Sequence, residues 1–274
     1  MYNFISSEWY KLVRSRFFYV CALINAAVSA LMIVSIKVSG ESYGTLVQHA
    51  GQTGSTNAVK GLVQMVEFSE KGNPVWAAAY GLNNTGMIVG AIFIILFMNM
   101  EYKKGTMLML IGRGLSKSKL VMAKMIVAML GVEIIFLTSA VVSGITGLFI
   151  WGIPEGTVKM VPNMVTSIGC NMILLAGCLS VAVVIAVWVK NSGEAIGIYV
   201  VGYFVLSNAL SIGMENSLIP KKGMFLLSLD EKIAQMSNIM SMPSVPWNSL
   251  GLSLVYLFLT VVICCWTIQR QDLV

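Results

Sequence analysis

Charge is what this 274-residue sequence has least of. Only 11% of its residues are Asp, Glu, Lys or Arg, against roughly 25% in an ordinary soluble domain. It has a single histidine, His49, and no Cys/His/carboxylate cluster at metal-ligand spacing, so no metal ligand is assigned. One His leaves little material for a nucleophile, base and orienter, so no catalytic residue is assigned and an enzyme is not expected. The phosphate-cradling pattern G-x-x-x-x-G-K-[ST] is absent, so no cofactor is expected in this chain. The five cysteines (Cys21, Cys170, Cys178, Cys264, Cys265) are odd in number and all fall in apolar runs. They read as small buried hydrophobes, not as a disulfide framework. A transporter working without a motor usually carries several intramembrane charges or broken helices. With spans this bare of charge, uphill movement of a solute would draw its energy from a partner.

What the sequence does have is hydrocarbon: 57% hydrophobic residues and a mean hydropathy of +0.81. Six apolar runs are each about long enough to cross a core of roughly 30 Å at 1.5 Å per residue. They lie at 17–36, 82–100, 125–151, 165–189, 195–213 and 249–268. The runs are continuously apolar and do not alternate, which predicts helices and not a barrel. The six tryptophans sit at or near run ends: Trp9, Trp76, Trp151, Trp188, Trp247 and Trp266. That spacing suits a headgroup layer that solvates an indole N–H while burying its ring. The expected fold is therefore all-α, a polytopic membrane protein with a single six-helix domain over 1–274. Residues 1–16 read as an interfacial amphipathic helix, with Phe4, Ile5, Trp9, Leu12 and Val13 at helical spacing. A plain start to the first span is the alternative. The expected outer loops are 37–81 and 214–248. The first carries a helical stripe at Val59, Leu62, Val63 and Val66, and the second an amphipathic stretch over 224–240.

Lys and Arg divide unevenly between the two sides. One set of polar segments, with the shorter loops, holds eleven and a net charge of +7; the other holds seven and nets zero. The basic side is cytoplasmic by the positive-inside rule, which puts both termini there. The overall charge of +6 is thus mostly topology. No basic stripe interleaves with aromatics, so a nucleic-acid partner is not expected.

The polar segment between the second and third runs is the most informative stretch. It supplies Glu101, then Gly105 and Thr106, an apolar patch from Leu108 through Leu110 to Ile111, Arg113 between two glycines, Ser116-Lys117, and Lys124. The patch is too short to cross a bilayer and too apolar for an idle loop, so it would bury on a partner, rimmed by the basic residues. A packed positive-inside anchor is the alternative. In this pattern the chain resembles the permease subunits of ABC transporters, specifically the type-2 exporter family with six spans per subunit. The resemblance covers the whole chain in topology and about 25 positions in residues. It implies that Glu101, Gly105, Thr106, Leu108, Leu110, Arg113, Ser116, Lys117 and Lys124 belong to a coupling loop. That loop would seat in a separate cytoplasmic ABC ATPase subunit, which would hold ATP and magnesium. It also implies a second permease copy or paralogue, membrane lipid as the surroundings, and a bacterial plasma membrane as the location. Family members move peptides, antibiotics, lipids, polysaccharides and ions. By analogy the expected cargo is an amphipathic or antimicrobial peptide, exported or expelled for self-protection. Ions or small lipophilic drugs are the alternative cargo, and a non-transporting scaffold or sensor the alternative class.

Glu133 falls inside the third run. An ionisable group at the centre of a span costs about 2.5–3.5 kcal/mol on insertion scales. It is therefore expected either to face the bundle interior, meeting Asn25, Asn171 or a cationic substrate, or to sit nearer the interface. Gly86-x-x-x-Gly90 and Gly193-x-x-x-Gly197 are spaced for close helix contact.

Overall fold

The computed structural model describes residues 2–50, 72–80, 85–104, 117–154, 157–189, 191–215 and 247–270. Every regular element among them is a helix: α1 (Tyr2–Val13), α2 (Arg16–Ala50), α3 (Pro74–Tyr80), α4 (Thr85–Lys104), α5 (Lys117–Trp151), α6 (Thr157–Trp188), α7 (Ser192–Glu215) and α8 (Trp247–Arg270). Segments of α2, α5, α6 and α8 are long and apolar enough to cross a membrane: Arg16–Gly40, Ser118–Trp151, Lys159–Trp188 and Trp247–Arg270. Gly86–Met100 and Ser192–Val205 are shorter apolar helices. In hydrocarbon every backbone N–H and C=O needs a partner, and a helix satisfies them within one segment.

Local chemistry sets several helix ends. Asn73 caps α3: its Oδ1 accepts from Val75 N at 2.9 Å and its carbonyl from Ala77 N at 2.9 Å. Pro74 follows at the first helical position, where a missing N–H costs nothing. Gly152 closes α5 at φ 68°, its N–H donating to the Leu148 carbonyl at 3.0 Å. Asn191 caps α7, accepting from Gly193 N at 3.2 Å, while its Nδ2 donates to Glu194 Oε1 at 2.8 Å. Asn99 Nδ2 of α4 donates to the Val189 carbonyl at 3.1 Å and ties the α6–α7 turn down.

Side-chain contacts fix the chain directions. Asn25 meets Ser139, and Ile36 packs with Ile150, so α2 and α5 run parallel. On α4, Gly86 lies against Phe136, Gly90 against Val132, and Phe97 against Lys124, so α4 opposes α5. Gly90 meets Leu179 and Asn99 meets Val189, so α6 runs with α4. Ser253 bonds Ile173 and Trp188 Nε1 donates to Thr267 at 3.2 Å, so α8 runs with α6. Two elements therefore point one way and three the other. One end collects Lys11, Arg14, Arg16, Lys103, Lys104, Lys117, Lys119, Lys124 and Arg270; among the described residues the other end has Lys37 and Lys159.

The main core is aliphatic and aromatic, centred on α4, α5 and α6. Phe93 links it to the start of α2, stacking on Phe17 at 6.0 Å and Phe97 at 5.8 Å and meeting Phe18 edge-on at 5.9 Å. Such pairs are worth about 0.5–1.5 kcal/mol each beyond area burial. Gly86 and Gly90 permit the close approach their spacing suggests. Gly197, by contrast, has nothing within 4 Å of where a Cβ would stand.

Four expectations change. The segment 37–81, read as an outer loop, contains the rest of α2 to Ala50 and the whole of α3. The third and fourth runs begin eight residues earlier than the apolar pattern predicts, because polar residues continue a helix as readily as apolar ones once its packed face is covered. Trp76, read as an interfacial residue, is buried at 1% exposure, its ring edge-on to Trp151 at 6.1 Å with Ile33, Ile36 and Ala77 around it. On α1 the packed face is Ile5, Glu8 and Leu12, while Trp9, Tyr10 and Val13 are exposed. The stripes 59–66 and 224–240 lie outside the described residues.

Candidate functional site

Two groups of residues carry the expectations: the coupling segment at the basic end, and the polar residues inside the bundle. Of the first, Gly105, Thr106, Leu108, Leu110, Arg113 and Ser116 lie outside the described residues. Glu101 is in the last turn of α4 and Lys117 is the first residue of α5. Both flank the segment at the end where the cations gather.

Lys124 is a correction. The sequence pattern makes it the opening residue of the third span, on the rim of a partner contact. It lies two turns inside α5, 5% exposed, with Nζ 5.6 Å from the Phe97 ring centroid. A desolvated cation over an aromatic face is worth up to about 2 kcal/mol. Lys124 therefore ties α5 to α4, and an external rim role does not suit it. Nearby, Glu8 is buried on the packed face of α1 and takes Lys11 Nζ at 2.5 Å. Spacing alone assigned Glu8 no such burial, because only contact with α5 selects that face of α1.

Inside the bundle, Glu133 is hydrogen-bonded to neither Asn25 nor Asn171. Asn25 Nδ2 donates to Ser139 Oγ at 2.5 Å, and Ser139 in turn donates to the Ile135 carbonyl at 3.2 Å. Glu133 is half-buried, and its Oε2 is fully buried without a hydrogen-bond partner. Asn171 is 0% exposed, and neither its Oδ1 nor its Nδ2 has a partner. Ser143 Oγ, one turn beyond Ser139, is also buried and unpaired. An unpaired polar group in an apolar interior costs on the order of 1–3 kcal/mol by mutational measures.

Sequence reasoning missed Ser139, Ser143 and Asn99. The signal was present for the first two: hydroxyls at i and i+4 share one face of a helix. Asn99 gave none, because a polar residue near a span end is ordinary. No group of three His, Cys, Asp or Glu able to hold a metal occurs among the described residues.

The sequence matches, over residues 65–274, the family described as protein of unknown function (DUF2705), and the chain belongs to that family. No curated protein matches it.

Proposed function

We propose that this chain is the membrane subunit of an ATP-driven exporter of the ABC type-2 class, set in a bacterial plasma membrane with six spans and both termini in the cytoplasm. In this reading α4 and α7 cross the membrane as the second and fifth spans. What supports it most is the basic end of the bundle. The end of α4 and the start of α5 lie there with most of the described cations, and the sequence that joins them carries the Gly105-Thr106, Leu108–Ile111 and Ser116-Lys117 pattern. A separate ATPase would hold ATP and magnesium, seat this segment, and pass its closure to α4 and α5. These two helices are locked to one another through Lys124 and Phe97 and through Gly86 and Phe136, so a push on the segment moves both. The cargo in this reading is an amphipathic peptide, and a second copy or paralogue completes the path.

Purification of the tagged chain from its own membranes in mild detergent tests the proposal. The expected companion is a protein with nucleotide-binding motifs and ATPase activity, lost on deletion of residues 108–117 while the helical circular dichroism persists. Labelling of 107–118 by an impermeant reagent added outside intact cells would overturn the orientation. ATP turnover by the chain alone, or an ATPase that stays bound after the deletion, would overturn the coupling role.

A further inference from the structure

Four exposed residues run down one side of α8: Val255, Leu259, Val262 and Trp266. Their spacings of four, three and four put them on one face of the helix. Arg270 continues that stripe by one more turn, its guanidinium 4.3 Å from the Trp266 ring centroid. The face is therefore apolar along most of its length and closes with an indole and a cation at the basic end of the bundle. Both flanks of the closing turn are held. On one side Trp188 Nε1 of α6 donates to Thr267 Oγ1 at 3.2 Å, and the Trp188 side chain stays 60% exposed. On the other, Gln269 Nε2 donates to Ser118 Oγ at 3.4 Å. That contact brings the first turn of α5, with the exposed Lys119, alongside.

The charge at this corner is of one sign. α8, residues 157–188 of α6 and residues 117–132 of α5 contain no Asp or Glu, and neither Arg270 nor Lys119 makes an ion pair among the described residues. The carboxyl end of α8 disfavours an anion, but the amino end of α5 beside it favours one by a similar half-charge. The two side-chain cations therefore decide the balance. In a spanning helix an exposed apolar stripe meets acyl chains, and an indole ring is at home in the headgroup layer. A guanidinium over an aromatic ring still offers its donor fork to a phosphate. The order of residues along α8 thus follows the order of groups in a phospholipid: chain, glycerol, phosphate. A second copy suits this corner less well, since a two-fold axis along the bilayer normal would set Arg270 and Lys119 against their own counterparts. We infer that the end of α8 holds an anionic phospholipid. One chain lies along Val255, Leu259 and Val262, the glycerol rests on Trp266 and Trp188, and the phosphate sits on Arg270 with Lys119 beside it. This site depends neither on the ATPase reading nor on which side of the membrane the basic end faces.

Native mass spectrometry of the full chain in a neutral detergent tests the site, with dioleoylphosphatidylglycerol and dioleoylphosphatidylcholine titrated separately. Two cations at about fivefold each predict a preference of roughly 25-fold for the anionic lipid. Arg270→Gln and Lys119→Gln should each remove about fivefold of that preference and leave phosphatidylcholine binding unchanged. Arg16→Gln is the control: it removes an exposed cation from the same end of the bundle, but from α2. It should change the preference by less than about twofold, because the attraction fades within a Debye length. Equal losses in all three variants would overturn the site, since they would report a diffuse field. Equal binding of the two lipids by the wild-type chain would overturn it as well. Displacement of the lipid by glycerol 1-phosphate at matched concentration would overturn the lipid as ligand, since the apolar stripe would then contribute nothing. All three side chains are exposed, so the variants keep the fold, which helical circular dichroism checks.

Discussion

Replacing Gly147 with alanine is expected to destabilise the bundle, although alanine is the better helix former. The site lies where α3 packs against α5. A Cβ at Gly147 would stand 2.7 Å from the Ala77 Cβ and 3.0 Å from the Pro74 Cα. Carbon atoms prefer about 3.5–4.0 Å, so the clash is close to 1 Å. Neither neighbour can swing away: one is a methyl fixed to a helix backbone, and the other is a proline backbone atom next to the Asn73 cap. α3 must therefore shift as a body, with Trp76 attached. Overpacking of this kind costs about 1–3 kcal/mol. The glycine-to-alanine gain of about 0.5–1 kcal/mol offsets part of it, leaving a net loss that centres on about 1 kcal/mol and reaches at most about 2.5. Gly169 supplies the opposite case: it is in mid-helix on α6 with nothing within 4 Å, so Gly169→Ala keeps only the gain. Equilibrium unfolding in mixed micelles by rising SDS fraction, followed by helical circular dichroism and tryptophan emission, compares the two. Opposite signs are expected. A Gly147→Ala protein as stable as Gly169→Ala would refute the seating of α3 on α5.

The Asn25–Ser139 bond should give a coupling of about 0.6 kcal/mol, and no more than about 1.7, in a double-mutant cycle with Asn25→Leu and Ser139→Ala; zero coupling would mean that α2 and α5 meet in another register. Glu133→Leu removes a buried oxygen that has no partner and should raise unfolding stability by about 1–3 kcal/mol. If the carboxylate meets a cationic solute, that same variant loses transport while gaining stability. A fall in stability would mean that Glu133 is paired within the fold.

Much of the architecture was legible because the solvent dictates it. Runs of about twenty apolar residues with no alternation can only become helices, and the uneven Lys and Arg distribution already sorted the segments that the folded chain gathers at its two ends. The spacing of Gly86 and Gly90 announced a close approach, whereas α3 went unread inside a stretch whose composition made it a loop. The polar site was half legible. Asn171 and Asn25 stood out as polar residues in spans, but that Asn25 meets Ser139 and Asn171 meets no partner did not, since a side chain's neighbour depends on how far one helix slides along the next. Ser143 carried only a faint signal, its spacing of four from Ser139; a serine in a span is common, and its burial comes from the packing around it.

From the amino acids alone came the helices, their approximate bounds and the end that holds the cations, because each follows from transfer free energy and charge, summed locally. Only the assembled bundle decided that α3 burrows beside α5, that Trp76 turns inward, that Glu8 and Lys124 are covered, and that Ser143 and Asn171 are buried without partners. Those depend on interhelical register, which is fixed by side chains far apart in the chain fitting one another.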